Sequence, residues 1–445
     1  MTSERRAPVA HGSPLDEEET LDRAGLRDLQ TRKLEALLEH VQARSTFYQA
    51  KWATAGLPRV FTLDRLSELE RLPFTTKREL LDDQQAAPPF GSIPTEKPVR
   101  YTRLHQTSGT TDRPLRWLDT SASWQWWLRC WHRVYKAAGV TPSDRVFVPF
   151  SFGPFIGFWS AFEAAAELGA LVVPGGGQDS AQRGMTLLDS AATVLVSTPS
   201  YAIHLARTMR QRGLDPAASA IRRTIHAGEP GASIPNTRAQ LSRLWGAEPF
   251  DHYGLTEVGA VAFGCLAETP GLHVNEAEFI AEVIDPATGA SHSHGRGELV
   301  LTNLGRFGSP VIRYRTGDIV DLARDPCPCG RNFARLTGGV LGRSDDMLVV
   351  RGVNVFPSMI EDAVRAHPLV DEFQIQLRQE GDLQQLRIVL EVDRQAHSQQ
   401  AILHAQNTIA ERVHQSCSLR VTAAIVPTGT LPRQELKAKR VVRVG

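Results

Sequence analysis

Between residues 145 and 226 short β-branched runs alternate with helical patterns, at 146–149, 159–168, 170–173, 193–197, 201–212 and 222–226. A strand that leads into a helix and then into another strand cannot close as a hairpin, so the chain must cross over and lay the strands parallel. The rhythm predicts an α/β chain whose large N-terminal domain has mostly parallel, helix-covered sheets, with a binding crevice at the carboxyl ends of the strands. The most apolar part of this region, 146–162, is broken by Pro149, Gly153, Pro154 and Gly157 and stops at Glu163. A buried strand, a loop and a helix start account for it without a membrane span.

The chain has 445 residues, too many for one ordinary core, so more than one domain is expected. Gly338-Gly-Val-Leu-Gly342 reads as a linker. Beyond it a helix at 356–367, strands at 372–377 and 386–392, a helix at 398–415 and a strand at 420–426 make a small α+β domain. The expected division is a core domain over 21–341 and a mobile C-terminal domain over 342–445, joined by a hinge. Residues 1–20 are polar and charged, and are expected as a disordered tail rather than a signal peptide. Leucines at helical spacing across 21–52 predict an amphipathic helix against the main body. Trp124, Trp127 and Trp131 share one helical face and read as a buried aromatic seam. A net charge of +1 gives no basic field for nucleic acid, and no membrane partner is expected.

Five cysteines are too few for a disulfide framework and fit a reducing, cytoplasmic setting. Cys265, His273, Cys327 and Cys329 would together satisfy a tetrahedral zinc ion. Spacing alone equally allows a core cysteine and an unrelated Cys-x-Cys turn. Cys130 and Cys417 fall within helical patterns and read as buried and inert.

Six short segments follow in order: Gln106-Thr-Ser-Gly-Thr-Thr-Asp-Arg-Pro114, His226-Ala-Gly-Glu-Pro230, Asp251-His-Tyr-Gly-Leu-Thr-Glu257, Tyr314-Arg-Thr-Gly-Asp318, Gly342-Arg-Ser-Asp345 and Leu431-Pro-Arg-Gln-Glu-Leu-Lys437. The first alone is a plain Thr/Ser/Gly loop, though its hydroxyls and amides suit phosphate oxygens. It is not a GxxxxGK[ST] loop. Pro174-Gly-Gly-Gly177 lacks a following Lys or hydroxyl cluster and reads as a strand-end turn. As an ordered set the six segments resemble the adenylate-forming superfamily of acyl-CoA synthetases, and in particular the phenylacetate-CoA ligase family.

The resemblance implies an ATP-dependent ligase that converts an aryl acid (phenylacetate, benzoate or a substituted benzoate such as anthranilate) to an acyl-adenylate and then to a coenzyme A thioester. Thr107, Ser108, Gly109, Thr110 and Thr111 would cradle the phosphates. Asp112-Arg113 stands where the family usually has Gly-Lys, which brings a carboxylate near the polyphosphate. Tyr253 and Gly254 would pack on the adenine, with Asp251 at its amino group, Thr256 on the α-phosphate and Glu257 on Mg²⁺. Gly228, Glu229 and Pro230 would form the opposite wall, with Ala227 and Gly228 in swapped order relative to the family. Asp318 would accept from both ribose hydroxyls, aided by Arg343, and Asp345 would be the pivot of the small domain. Lys437 would bridge the substrate carboxylate and the α-phosphate, with Lys439 as a competing candidate and Leu436 replacing a family glycine.

Phe150, Phe152 and Phe155 would wall the acid pocket beside Ala227, Gly228 and Tyr253, with His204 and His226 either at its polar edge or simply packed. Some family members hold zinc at a pattern like that of Cys265, His273, Cys327 and Cys329, which points to a structural ion. ATP, Mg²⁺, coenzyme A and zinc are thus the implied cofactors. Two other functions are compatible with the motifs: loading of a carrier-protein thiol, and an inactive zinc-stabilised nucleotide-binding module. A homodimer is compatible with either.

Overall fold

A computed structural model describes residues 15–107, 113–267, 271–344, 346–350, 353–380, 383–417, 419–432 and 440–444. Strands β1 (Tyr101–Gln106) and β2 (Arg116–Thr120) form a separate antiparallel hairpin. The strands β3 (Arg145–Val148), β4 (Leu171–Pro174), β5 (Val194–Ser197), β6 (Arg223–His226) and β7 (Glu248–Leu255) then pair in parallel. Helices Ile156–Glu167, Ser180–Asp189, Pro199–Gln211 and Pro235–Trp245 connect them. This half is the crossover rhythm of the sequence, with its strand ends converging on the loops after Ser197, His226 and Leu255.

The same sheet continues with β8 (Gly259–Phe263), β9 (Leu272–Val274), β10 (Phe279–Ile284), β11 (Ser291–His292), β12 (Gly295–Asn303), β13 (Tyr314–Ala323) and β14 (Arg335–Arg343), all antiparallel to their neighbours. Its twelve strands run β11-β10-β12-β13-β14-β9-β8-β7-β6-β5-β3-β4. The α/β class holds, and within this sheet the parallel pairing is confined to β3–β7. After Leu255 the chain turns back within a few residues, without a helix, and a short turn can only produce an antiparallel neighbour. Gly259 permits the close approach there: its φ is +150°, and a Cβ would meet the rings of Phe279 and Trp126 at 2.6–2.8 Å.

Three further corrections concern boundaries. The expected linker 338–342 lies inside β14, where Gly338 and Gly339 take φ near +72° and +73° beside an irregular register with β13. The expected tail is packed at its end. Glu19 is fully buried and accepts from Arg331 Nε at 2.6 Å, and Lys136 pairs with Asp16 at 2.5 Å. The expected 21–52 helix is two, Arg23–Arg44 and Thr46–Thr54, separated at Ser45, whose hydroxyl caps the second.

The small domain has its own core, with Ile360, Val364, Ile375, Ile388, Ile409 and Val413 all fully buried. Its sheet runs β19 (Thr422–Val426), β18 (Leu383–Glu391), β17 (Glu372–Glu380), β20 (Val441–Val444), packed with helices Pro357–Arg365 and Gln399–Cys417. A two-stranded ribbon, β15 (Leu348–Val350) and β16 (Val353–Val355), precedes it. Trp124, Trp127 and Trp131 are at most 2% exposed, so the indole face is core. Among the described residues no helix is long and apolar enough to cross a membrane.

Leu37 is fully buried in a cluster that includes Ile280, Leu304 and Ile312, and this cluster fastens helix Arg23–Arg44 to the antiparallel half. Leu37→Ala is expected to cost about 2–5 kcal/mol. Urea unfolding checks this, as a lower midpoint with an unchanged slope.

Candidate active site

The loop after β6 is held from two sides. Gly228 takes φ +94°, a left-handed conformation that favours glycine, which accounts for glycine following alanine here. Glu229 Oε1 accepts from the Ser200 amide at 2.8 Å and from the Ser200 hydroxyl. Ser200 lies in the first turn of helix Pro199–Gln211, where free amides and the helix dipole favour a carboxylate. Asp251, at 8% exposure, accepts from the amides of Ala232 at 2.7 Å and Ser233 at 2.6 Å, one on each oxygen. Its carboxylate therefore holds the loop that follows β6. Burial raises its pKa, partly opposed by those hydrogen bonds.

Two residues after Asp251, Tyr253 donates its hydroxyl to Asp318 Oδ2 at 2.6 Å. Asp318 and Arg343 are register partners on β13 and β14, and Arg343 Nη1 lies 3.3 Å from Asp318 Oδ1. Thr316 Oγ1 accepts from the Asp318 amide at 3.0 Å. Burial and then the charge of Asp318 push the Tyr253 hydroxyl well above its ordinary range, so it stays a donor. The structure thus brings together Tyr253, Asp318 and Arg343 from three distant motifs.

Thr256 and Glu257 occupy the turn between β7 and β8. Glu257 is 4% exposed, and its Oε1 accepts from the Tyr314 hydroxyl at 3.2 Å. The Thr256 carbonyl accepts from Arg306 Nη1 at 2.6 Å. Arg306 in turn forms a two-pronged ion pair with Asp119 on β2, Nε to Oδ1 at 2.7 Å and Nη2 to Oδ2 at 2.6 Å, with both side chains fully buried. Burial works against the Asp119 charge, yet Arg306 holds its pKa below the usual value. At the other end of the hairpin Thr107 Oγ1 accepts from the Leu115 amide at 3.1 Å. Sequence reading did not single out Arg306, Asp119 or Ser200, and named Tyr314 only as the first residue of its segment, without a role.

The expected positions Ser108, Gly109, Thr110, Thr111, Asp345 and Lys437 lie outside the described residues, as does Lys439.

The pocket candidates divide. Phe150 is 2% exposed and stacked on Phe158 at 3.5 Å, and His226 is fully buried with Nε2 2.8 Å from Thr224 Oγ1. Both are core side chains in this arrangement, and burial lowers the His226 pKa to about 3. Phe152, Phe155, His204 and Ala227 are half-buried, and Phe152 packs on Trp159 at 4.8 Å and Phe162 at 5.2 Å. Gly228 is exposed, Pro230 lies in the loop after β6, and Gly254 lies near the end of β7 opposite Ala260 of β8.

The four expected metal ligands converge, with one ligand atom from each of Cys265, His273, Cys327 and Cys329 within 4.8 Å of all the others. Cys265 Sγ is 3.8 Å from Cys327 Sγ, and Cys329 Sγ is 3.3 Å from His273 Nε2. His273 Nδ1 donates to the Phe333 carbonyl at 3.2 Å, which fixes the tautomer and turns the Nε2 lone pair toward the sulfurs.

Residues 352–443 match the AMP-binding enzyme C-terminal domain family. The chain is 33% identical over 438 residues to phenylacetate-coenzyme A ligase of Thermus thermophilus, covering 94% of this chain and 96% of the relative. It is also 33% identical to the enzyme of that name from Escherichia coli, covering 96% and 97%. Among solved structures, 2-hydroxyisobutyryl-CoA ligase in its postadenylation state with R3-HIB-AMP superposes with a TM-score of 0.91 at 29% identity, covering 96% of this chain and 91% of that one. The same ligase in the thioesterification state gives 0.71, so the domain arrangement here is the nearer to the postadenylation state.

Removing one partner of the Arg306–Asp119 pair leaves a buried charge without a counter-ion. Arg306→Met is expected to cost about 3–5 kcal/mol, and the double variant Arg306→Met/Asp119→Leu to regain most of it. Urea titrations of the two variants check the difference.

Proposed function

The chain belongs to the phenylacetate-coenzyme A ligase family of adenylate-forming enzymes, and from that premise we propose that it activates a ring-bearing carboxylic acid for transfer to coenzyme A. It is an AMP-forming acid–CoA ligase. The observation that carries the reading is the contact of Tyr253, at the carboxyl end of β7, with Asp318 and of Asp318 with Arg343, with Thr256 and Glu257 held in the turn that follows Tyr253.

In the first half-reaction a carboxylate oxygen attacks the α-phosphorus of ATP, and the bond to the pyrophosphate oxygen breaks. Asp318, oriented by Tyr253 and Arg343, holds the ribose hydroxyls. The Thr256 hydroxyl meets the α-phosphate from a turn that Arg306 anchors. Glu257 fits a magnesium ligand, because Oε1 is occupied by Tyr314 and Oε2 makes no hydrogen bond among the described residues. The ion, when bound, offsets charge on the phosphorus under attack. Lys437 supplies the ammonium that neutralises the developing charge between carboxylate and phosphate.

In the second half-reaction the thiol sulfur of coenzyme A attacks the acyl carbon. AMP leaves with the bonding electrons, and the thiol proton passes to solvent. The ring of the acid is received on the side of Phe152, Phe155, Trp159 and His204, an aromatic surface suited to an apolar ring.

The Cys/His cluster is assigned to a structural zinc ion. Ligands about 2.3 Å from a tetrahedral centre place neighbouring sulfurs about 3.8 Å apart, and the Cys265–Cys327 separation of 3.8 Å agrees. The cluster ties Cys265 and His273 to the 327–331 loop.

Three measurements test these assignments. A panel of aromatic and aliphatic acids, scored for pyrophosphate release and for the CoA thioester by mass spectrometry, is expected to favour aromatic acids. Turnover of short aliphatic acids alone would overturn the assignment. Lys437→Ala is expected to lower acyl-adenylate formation by about 100-fold or more while sparing thioester formation from preformed acyl-adenylate. Equal loss of both steps would contradict the role. The purified protein is expected to carry about one zinc per chain, and Cys327→Ser/Cys329→Ser to lose it and melt lower. Stoichiometric zinc retained in that double variant would place the metal elsewhere.

A further inference from the structure

The two domains meet through polar contacts. The Asn236 amide donates to Asp362 Oδ1 at 3.1 Å, Arg207 Nη2 donates to the Val370 carbonyl at 2.8 Å, and Arg207 Nη1 donates to the Asp371 carbonyl. One further contact joins charged groups buried on both sides. Arg440 Nη1 lies 3.8 Å from Glu229 Oε2, with the two side chains 10% and 9% exposed. The same guanidinium faces two carboxylates of its own domain, Glu361 Oε1 from Nη1 at 3.4 Å and Glu372 Oε1 from Nε at 3.4 Å. It also lies over the Phe373 ring, 4.9 Å from its centre.

The charges around this arginine balance in a particular way. Arg365 pairs with the same two acids, Nη2 with Glu372 at 3.3 Å and Nε with Glu361 at 3.6 Å. Among the described residues two guanidinium groups and two carboxylates therefore face one another inside the small domain. Glu229 is an additional anion that arrives across the interface, with its Oε1 already held by the Ser200 amide. When the domains part, Glu229 keeps Ser200 and Arg440 keeps Glu361 and Glu372. Neither is left as a bare buried charge, the outcome that makes most buried pairs so costly to open. The contact is thus attractive when closed and inexpensive to break.

Arg440 is also fixed to the small sheet through its backbone. Its carbonyl accepts from the Ile375 amide at 2.7 Å, and β20 begins at the next residue. In the sequence Lys437 lies three residues earlier.

We infer that Arg440 is a positioning residue for the adenylation half-reaction: by reaching Glu229 it holds the small domain in the arrangement seen here, and by keeping its own acids it lets that domain leave for thioester transfer. The inference rests on the ligase reading above, in which the two half-reactions use different arrangements. It touches no substrate atom and acts only through the placement of the domain. The closer match to the postadenylation state than to the thioesterification state of the same ligase supports it.

The test uses the full-length enzyme with the best acid of the panel. Pyrophosphate formation is followed in a single turnover without coenzyme A, and thioester formation is followed separately from presynthesised acyl-adenylate and coenzyme A. Arg440→Gln is expected to slow the first step by about 5- to 150-fold, the span of ordinary coupling energies, and to leave the second within about twofold of wild type. Arg440→Lys should recover most of the first step. Adding Glu229→Gln to Arg440→Gln should slow that step by much less than Glu229→Gln does alone, because the pair is already broken.

Equal slowing of both steps by Arg440→Gln, or losses that simply multiply in the double variant, would overturn the inference. Should Arg440→Gln lower the melting temperature by several degrees, the cycle of Arg440→Met with Glu229→Gln, measured well below the melting transition, decides by the same criterion of coupling. Failure of the wild-type enzyme to form any adenylate would instead refute the ligase reading, which the wild-type control detects separately.

Discussion

The Arg306–Asp119 ion pair is the interaction on which the site depends. Asp119 belongs to the β1–β2 hairpin and Arg306 to the loop after β12, and no main-chain pairing joins those elements. Burying two charges completely is expensive, and the two-pronged geometry, the third bond from Arg306 to the Thr256 carbonyl and His105 beside Asp119 offset that cost. Trp117 and Trp127 sit beside the guanidinium, with ring centres 5.7 and 5.1 Å away, and keep water from it. A pair of this kind adds little net stability over apolar residues of the same volume. What it provides is a single registration of the hairpin against the turn that carries Thr256 and Glu257.

The same economy appears in the proposed nucleotide slot. Asp251 holds the amides of Ala232 and Ser233, Glu229 holds the start of helix Pro199–Gln211, and Tyr253 orients Asp318. Each acid is fixed by donors of the protein before any ligand arrives, so little ordering remains when one binds. The domain interface is built differently. Among the described residues it consists of polar contacts and two long ion pairs, Arg207–Asp371 at 3.6 Å and Arg440–Glu229 at 3.8 Å, and Arg440 and Glu229 each keep partners of their own on separation, as the proposed opening and closing requires.

The parallel half of the fold was legible because a crossover strand announces itself locally, through a β-branched run followed by a helical one. The antiparallel half was not, since β9 and β14 pair across about sixty residues and nothing in either segment names its partner. Gly338 and Gly339 resembled a hinge in sequence and are positive-φ residues inside a strand, two uses of glycine that look alike in composition. In the site, Tyr253, Asp318, Arg343 and Glu257 were legible through motif order. Their supports Arg306, Asp119 and Ser200 were not, because a supporting side chain is defined by what it touches in space. His226 ends a strand at the right level of the sheet, but its side chain turns into the core, a distinction that alternation over four residues cannot make.

The central claim is that an aromatic acid and ATP react reversibly to an enzyme-held adenylate before coenzyme A takes part. Exchange of labelled pyrophosphate into ATP measures this directly. The account predicts exchange that requires the acid, proceeds without coenzyme A, and is lost in Asp318→Ala, where the ribose has no carboxylate to hold it. Exchange that is absent without coenzyme A, or that persists without any acid, would contradict it.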